Sequence, residues 1–570
     1  MLGLLSAAAS VSTAPAPVLG RISFPTSGAS AAQAPFIRGV LYLHSFEYDA
    51  AIDQFRQAQQ IDPTFAMAYW GEALAYSQPL WRNESVDKAR AVLARLAPNA
   101  AARQAKAPTA REKGYLDAVE KLFGTGDQPA RAKAYADRMG ALHAQFPDDD
   151  EAAALYALAL LGTIPETERN QAVSLKAGAI ALAILKKNPE HPGANHYALH
   201  AFDDGEHAAM ALDAARTYAR IAPASSHARH MPSHVFLTLG MWDEAAASDE
   251  SAFAASVDLA KQKGLSASQY DFHALSWLHY EYLQQGRFAK ARETMREVER
   301  ALGSSRSGGS GGPGRSGGSG RSGGSGGSGS SASVVSGFSR TVVPVASGSA
   351  DEQHQHVESE IGKGYGSTSL KSELASMKAR LVVESGDWAL MRGQGSFENI
   401  DELYALGAAS VKLGDGARAE VALEHLDTAS KTVPDADARE IAHIMAAELD
   451  GLMRFARGDR TGAFAALAHA TAAEAKRPKP IARPYPIKPA GELFGELLLA
   501  SGDAAGAVKQ FQAALMRTPR RAASLIGLAR AAQKTGQRAA AVNAAKDFLA
   551  AWHLADAARP ELAEARAIAR

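Results

Sequence analysis

The 570-residue chain contains no cysteine. That excludes disulfides, thiolate ligands, iron–sulfur clusters and cysteine nucleophiles, and leaves His, Asp and Glu as the strong metal ligands. Aromatic residues make up only 7% of the chain, while 46% is hydrophobic, mostly Ala and Leu. Such a composition suits closely stacked helices better than sheets, so an all-α fold is expected. Neither sign of charge is in excess, with 61 Lys and Arg against 61 Asp and Glu, so no net field attracts nucleic acid or an anionic membrane. No stretch approaches the roughly 18 uninterrupted apolar residues of a membrane span. The GxSxG, Walker, HExxH and Gly-rich dinucleotide motifs are also missing. The opening "MLGLLSAAASVSTAPAP" has a short apolar run and small residues but no positive start. Residues 1–31 are therefore read as a flexible start or the remnant of a secretory signal. Export, for instance to a periplasm, is the expectation, with the cytoplasm as the alternative.

What is present is repetition. In residues 32–65, Gly39, Tyr42, Ala51, Phe55, Ala58 and Pro63 occupy positions 8, 11, 20, 24, 27 and 32; Gly495, Ala507, Phe511, Ala514 and Pro519 do the same in 488–521. Between them a turn glycine recurs at Gly240, Gly286, Gly386, Gly414 and Gly458, and Gly536 follows the last full repeat. Small residues let paired helices approach, and a terminal Pro stops the second helix. This pattern closely resembles the tetratricopeptide (TPR) repeat, a 34-residue helix-turn-helix unit. The resemblance implies a right-handed α-solenoid, or superhelix, of about a dozen helical hairpins, each buried by its neighbours. The segments with "HYALH" and "HMPSH" also resemble an uncharacterised bacterial subgroup of these proteins.

Residues 303–366 break the pattern. Gly and Ser dominate 303–350, a composition that buries little apolar surface and reads as a disordered, looped-out insertion. The expected organisation is thus a solenoid over 32–302, this insertion, and a second solenoid over 367–570, with helices throughout and no sheet.

The most informative feature is histidine. Of 17 in the chain, seven fall between His191 and His234. His196 and His200 stand four residues apart, and His230 and His234 repeat that pair 34 residues later. Residues at i and i+4 share a helix face, close enough for two imidazoles to chelate one ion, and one repeat period places the pairs on equivalent helices of neighbouring hairpins within 189–257. The family resemblance further implies that His196, His200, His227, His230, His234, His273, Asp203 and Asp204 all line the concave groove. His196, His200, His230 and His234 are the expected ligands of one or two divalent transition ions (Zn, Cu, Ni or Fe), with His227, His273 and Asp203 as further ligands. His207 is a ligand or outer-shell candidate, and His191 a turn residue. Trp70, Glu492 and Glu496 are further groove candidates, although an aromatic on a helix is more often packing and a charged groove wall more often solvated. His44, His143, His425, His443, His469 and His553 read as ordinary core or surface residues.

Two functions remain open. One is a TPR protein that binds a transition metal through the groove histidines. The other is a metal-free scaffold whose groove takes a peptide or protein partner, or an anion held by partly protonated histidines. Metal-assisted hydrolysis or oxidation with Asp203 or Asp204 as base is an outside case, and no catalytic residue is assigned.

Overall fold

The computed structural model describes residues 18–165, 170–307, 367–394 and 397–570. These hold 25 α-helices, and each of two compact units is built from helical hairpins. The first unit comprises residues up to Phe202 together with Met210–Pro232; the second comprises Asp203–Ala209 and Ser233–Arg570. The division falls inside the His-rich repeats. The sequence placed it in the Gly/Ser stretch, most of which lies outside the described residues.

In the first unit the helices are α1 (Ser30–His44), α2 (Tyr48–Ile61), α3 (Ala66–Leu74), α4 (Val86–Leu96), α5 (Ala100–Lys106), α6 (Ala110–Leu122), α7 (Gln128–Gln145), α8 (Asp150–Leu161), α9 (Gln171–Lys187), α10 (Pro192–Ala201) and α11 (Leu212–Ile221). Helix α12 (Ser226–Thr238) contributes residues to both units. The first hairpin explains why the repeat needs its glycines. A Cβ at Gly39 would lie 2.7 Å from the Phe55 ring and one at Gly71 2.3 Å from it, so Phe55 of α2 fits only between bare backbones of α1 and α3. Phe511 is wedged against Gly495 and Gly527 in the same way near the other end of the chain.

One expectation fails here. Ser77–Gln78 (β1) and Asn83–Glu84 (β2) form a short antiparallel ladder between α3 and α4, where no sheet was expected.

The first unit also closes on itself. The Gly20–Arg21 backbone meets Glu190, and Tyr197 of α10 bonds to His44 of α1. The turn of the first hairpin is thereby laid against the fifth.

The second unit continues with α13 (Trp242–Gln262), α14 (Phe272–Gln284), α15 (Phe288–Ser307), α16 (Ser367–Ser385), α17 (Ile400–Leu413), α18 (Gly416–Thr432), α19 (Ala436–Ala456), α20 (Arg460–Lys476), α21 (Ala490–Ser501), α22 (Ala504–Arg517), α23 (Ala522–Lys534), α24 (Arg538–Ala551) and α25 (Pro560–Ile568). Helix α15 runs to Ser307, past the expected boundary at 303. Helices α15 and α16 pack together from either side of the undescribed 308–366. Buried His279 of α14 bonds to the Ala291 carbonyl of α15 and the Met377 carbonyl of α16, tying all three. The turns before α18 and α22 rest on Gly414 and Gly502 at φ 82° and 98°, a conformation in which a Cβ is costly.

The C-terminal hairpins return to α13 and α14. Trp242 donates to the Arg520 carbonyl, and Arg521 donates to the Tyr280 hydroxyl.

Candidate metal centre

Helix α10 begins with Pro192 at its first turn and His191 as N-cap, whose Nδ1 accepts the Ala194 N–H at 3.1 Å. That start directs His196 and His200, one turn apart, toward the His227 end of α12. The three Nε2 atoms converge: His196 to His227 is 2.8 Å and His196 to His200 is 3.0 Å. His196 is fully buried, His227 nearly so, and His200 half-buried.

The proton inventory of this triad is informative. His196 Nδ1 lies 2.7 Å from the His44 carbonyl, which can only accept, so Nδ1 carries the hydrogen and Nε2 a lone pair. Two neighbouring imidazoles aim at that one lone pair, and it cannot receive both well. A cation at the convergence point would satisfy all three nitrogens. A backbone carbonyl fixing the remote ring nitrogen is also the usual support of a metal-ligating histidine. Burial holds His196 down to about 3, in spite of its bond to the carbonyl, so it is neutral and ready to ligate.

Phe46 caps the triad. Its ring lies 4.2 Å from that of His196, 5.7 Å from His227 and 5.8 Å from His200, and Tyr218 stacks on His196 at 5.0 Å.

A second cluster escaped the sequence reading. His44, read as an ordinary residue, places Nε2 2.7 Å from Glu151 Oε2, and His191 Nε2 lies 3.3 Å from Glu151 Oε1, all buried. Tyr197 donates to His44 Nδ1, His44 Nε2–H and His191 Nε2–H both face the carboxylate, and the Ala194 amide takes the His191 lone pair. Ligation through His191 Nε2 would demand an imidazolate. The His191 tautomer fixed by the Ala194 amide, and not a full set of hydrogen bonds, is what makes this cluster a poor fit for a metal. Burial alone would raise Glu151, but the two histidines outweigh it and hold it below the carboxylate range; burial lowers His44.

The remaining candidates divide between the two units. His230, buried on α12, belongs to the first unit but not to the triad. His234, Asp203 and His273 belong to the second, where the ligand nitrogens of His234 and His273 lie within 4.8 Å of each other. His234 Nδ1 donates to Asp203 Oδ2 at 2.8 Å, and both imidazoles face Trp277, at 4.3 and 5.5 Å. Asp203 is thus an orienting acceptor. Asp204 accepts from the backbone N–H groups of Glu206 and His207 and from the His207 ring, so both sit in the turn that leads through a 3-10 turn at Ala208–Ala211 into α11.

The expected open groove is therefore largely filled. Trp70 is fully buried between Phe24 and Tyr115, which makes it packing. Glu492 is fully buried against Arg521 and Lys488, at 2.8 and 2.9 Å, and those cations hold it at about 2 against the effect of burial. Glu496 accepts from Lys488 at 2.6 Å. These two carboxylates neutralise buried cations and are not ligands.

Residues 32–65 match the family model described as tetratricopeptide repeat. That segment is thus a tetratricopeptide repeat, and its Gly and Phe wedges recur near the other end of the chain. Among solved structures, the chain is similar to the Cut9–Hcn1 hetero-tetramer of the APC/C, at 10% identity and TM-score 0.28 over 96% of this chain and 78% of that one. It is similar also to the human IFIT1 dimer with PPP-AAAA, at 11% and 0.31 over 93% and 91%, and to the P58(IPK) TPR domain, at 12% and 0.22 over 89% and 99%. No curated protein matches the sequence. No helix among the described residues is long and apolar enough to cross a membrane.

Proposed function

We propose that this TPR protein binds a divalent transition ion (Zn, Cu, Ni or Fe) through His196, His200 and His227. The observation that carries the reading is the convergence of three Nε2 atoms on a ring whose Nδ1–H is committed to the His44 carbonyl. Three neutral imidazoles suit borderline transition ions better than Mg or Ca, which prefer oxygen. Fully buried His196 and the aromatic cap point to an ion that is retained. Its role is to clamp α10 to α12, on an all-helical scaffold whose remaining surface is available to protein partners. His234 and His273, with Asp203 fixing the His234 tautomer, are proposed as ligands of a second ion in the second unit.

The test is elemental analysis of protein purified without an affinity tag, before and after equilibration with Zn. The exposed His443–His469 pair, whose Nε2 atoms lie 2.9 Å apart, can take up ions adventitiously. Measurements therefore belong in a His443→Ala, His469→Ala background. Loss of one equivalent in His196→Ala, His200→Ala supports the reading. Unchanged metal content in that variant would refute the assignment, and a parent that retains no metal would leave the metal-free scaffold.

A further inference from the structure

Six helical hairpins, those of α12 to α15 and α17 to α24, turn over one left-handed glycine. Helices α3 and α4 are joined differently, by residues 75–85 with their β-ladder and with Arg82 at φ 49°. Insertions and strained non-glycine residues in a repeat array concentrate where the array does something beyond stacking.

Against this insertion lies a cavity of about 180 Å³. Pro79 and Arg82 form its insertion wall, Tyr135 and Ala132 of α7 a second, and Leu155 and Ala159 of α8 a third. Protein interiors hold few voids larger than a water molecule, and an engineered apolar cavity of about 150 Å³ takes up benzene. The polar groups of the rim are already engaged. Gln128 donates to the Arg82 carbonyl at 2.7 Å, Arg82 donates to the Ile164 carbonyl, and Glu84 pairs with Arg131. Tyr135 differs: among the described residues no group hydrogen-bonds its hydroxyl, and burial raises its pKa, which keeps the hydroxyl protonated. A chamber lined mainly by apolar side chains therefore presents the Tyr135 hydroxyl to whatever enters it.

We propose that this cavity is a binding site for a small aromatic molecule of one ring carrying a single hydrogen-bonding group, such as a phenol, with the Tyr135 hydroxyl reading that group. The site uses none of the histidines and stands whether or not the triad holds a metal.

Fluorine NMR of the full-length protein with 4-fluorophenol and with fluorobenzene tests it. Saturable binding of both is expected, with the phenol several-fold tighter, the size of one net hydrogen bond. Filling the chamber from either wall, by Ala159→Leu or by Ala132→Leu, should lower binding of both probes at least tenfold; whichever variant keeps wild-type circular dichroism is decisive. Tyr135→Phe should keep fluorobenzene binding and erase the preference for the phenol. Absence of saturable binding to the wild type, undiminished binding in the filled variant, or a phenol preference that survives Tyr135→Phe would overturn the proposal.

Discussion

The Phe46 ring sits 4.2 Å from that of His196, and Phe46 occupies φ 60°, the left-handed conformation that glycine takes in the hairpin turns at Gly240, Gly286, Gly414, Gly458, Gly502 and Gly536. A non-glycine residue in that conformation costs about 1 to 2 kcal/mol. The first hairpin bears this cost and gains a fully buried aromatic lid over three imidazoles.

Removing the ring should therefore show an inverted order of substitutions. Ala keeps the backbone strain and Gly relieves it, so Phe46→Gly is expected to be less destabilising than Phe46→Ala by about 1 kcal/mol, although both lose a buried ring worth about 3 to 5 kcal/mol. Urea unfolding of the two variants checks this. The reverse order would mean that the turn is not strained at Phe46.

Acid should loosen the first unit ahead of the second. His196 at about 3 and lowered His44 stay neutral in the folded state while the unfolded chain protonates them below about 6.5. Glu151, depressed when folded, loses its contribution as pH falls below the ordinary carboxylate range. All three therefore remove stability as pH falls, by up to about 1.4 kcal/mol per pH unit for each titrating group. In the second unit, burial raises Asp249, Glu281 and Glu448, whose protonated forms favour the folded state, so their contribution grows as pH falls and opposes the loss of lowered His279. Hydrogen exchange at pH 5 against pH 7 should rise in α1, α8 and α10 before α19 and α21. Uniform loss of protection would contradict this.

The buried ion group of the second unit gives a separate expectation. Arg521 meets Glu492 at 2.8 Å and Glu384 at 2.6 Å, with Ser524 also donating to Glu492. Arg521→Met leaves buried Glu384 without its cation and Glu492 with Lys488 alone, and is expected to cost about 3 to 5 kcal/mol; adding Glu492→Leu should recover part of that. Denaturant midpoints of the single and double variants decide it; a double variant no more stable than the single one would show that the pair is not coupled.

Much of this was legible in the sequence, because hairpins depend on local spacing. Gly39 with Phe55 and Gly495 with Phe511 mark helix approaches that the structure contains. The i,i+4 pair His196 and His200 and the one-period offset to α12 brought the triad within reach, but the third member is His227, with His230 outside it. His44 and Phe46 were not legible. Their role arises from closure of the first hairpin onto the fifth, a contact across some 150 residues that no periodicity encodes. Trp70 and Glu492 also lie in the interior and not in an open groove, Trp70 under Phe24 and Tyr115, and Glu492 against Arg521 at the start of the next hairpin. Proton accounting, which separates the two histidine clusters, needs atoms and not residue types.

That separation gives the most direct measurement. Protein purified without a tag, in the His443→Ala, His469→Ala background, is equilibrated with Zn and its bound metal counted for wild-type His196 and Glu151, for His196→Ala and for Glu151→Gln. His196→Ala should lose the first-unit equivalent, while Glu151→Gln should keep it and lose stability instead, since Glu151 is the buried partner of His44 and not a ligand. No first-unit metal in the parent, or metal lost with Glu151→Gln and retained with His196→Ala, would contradict the assignment of the ion to His196, His200 and His227.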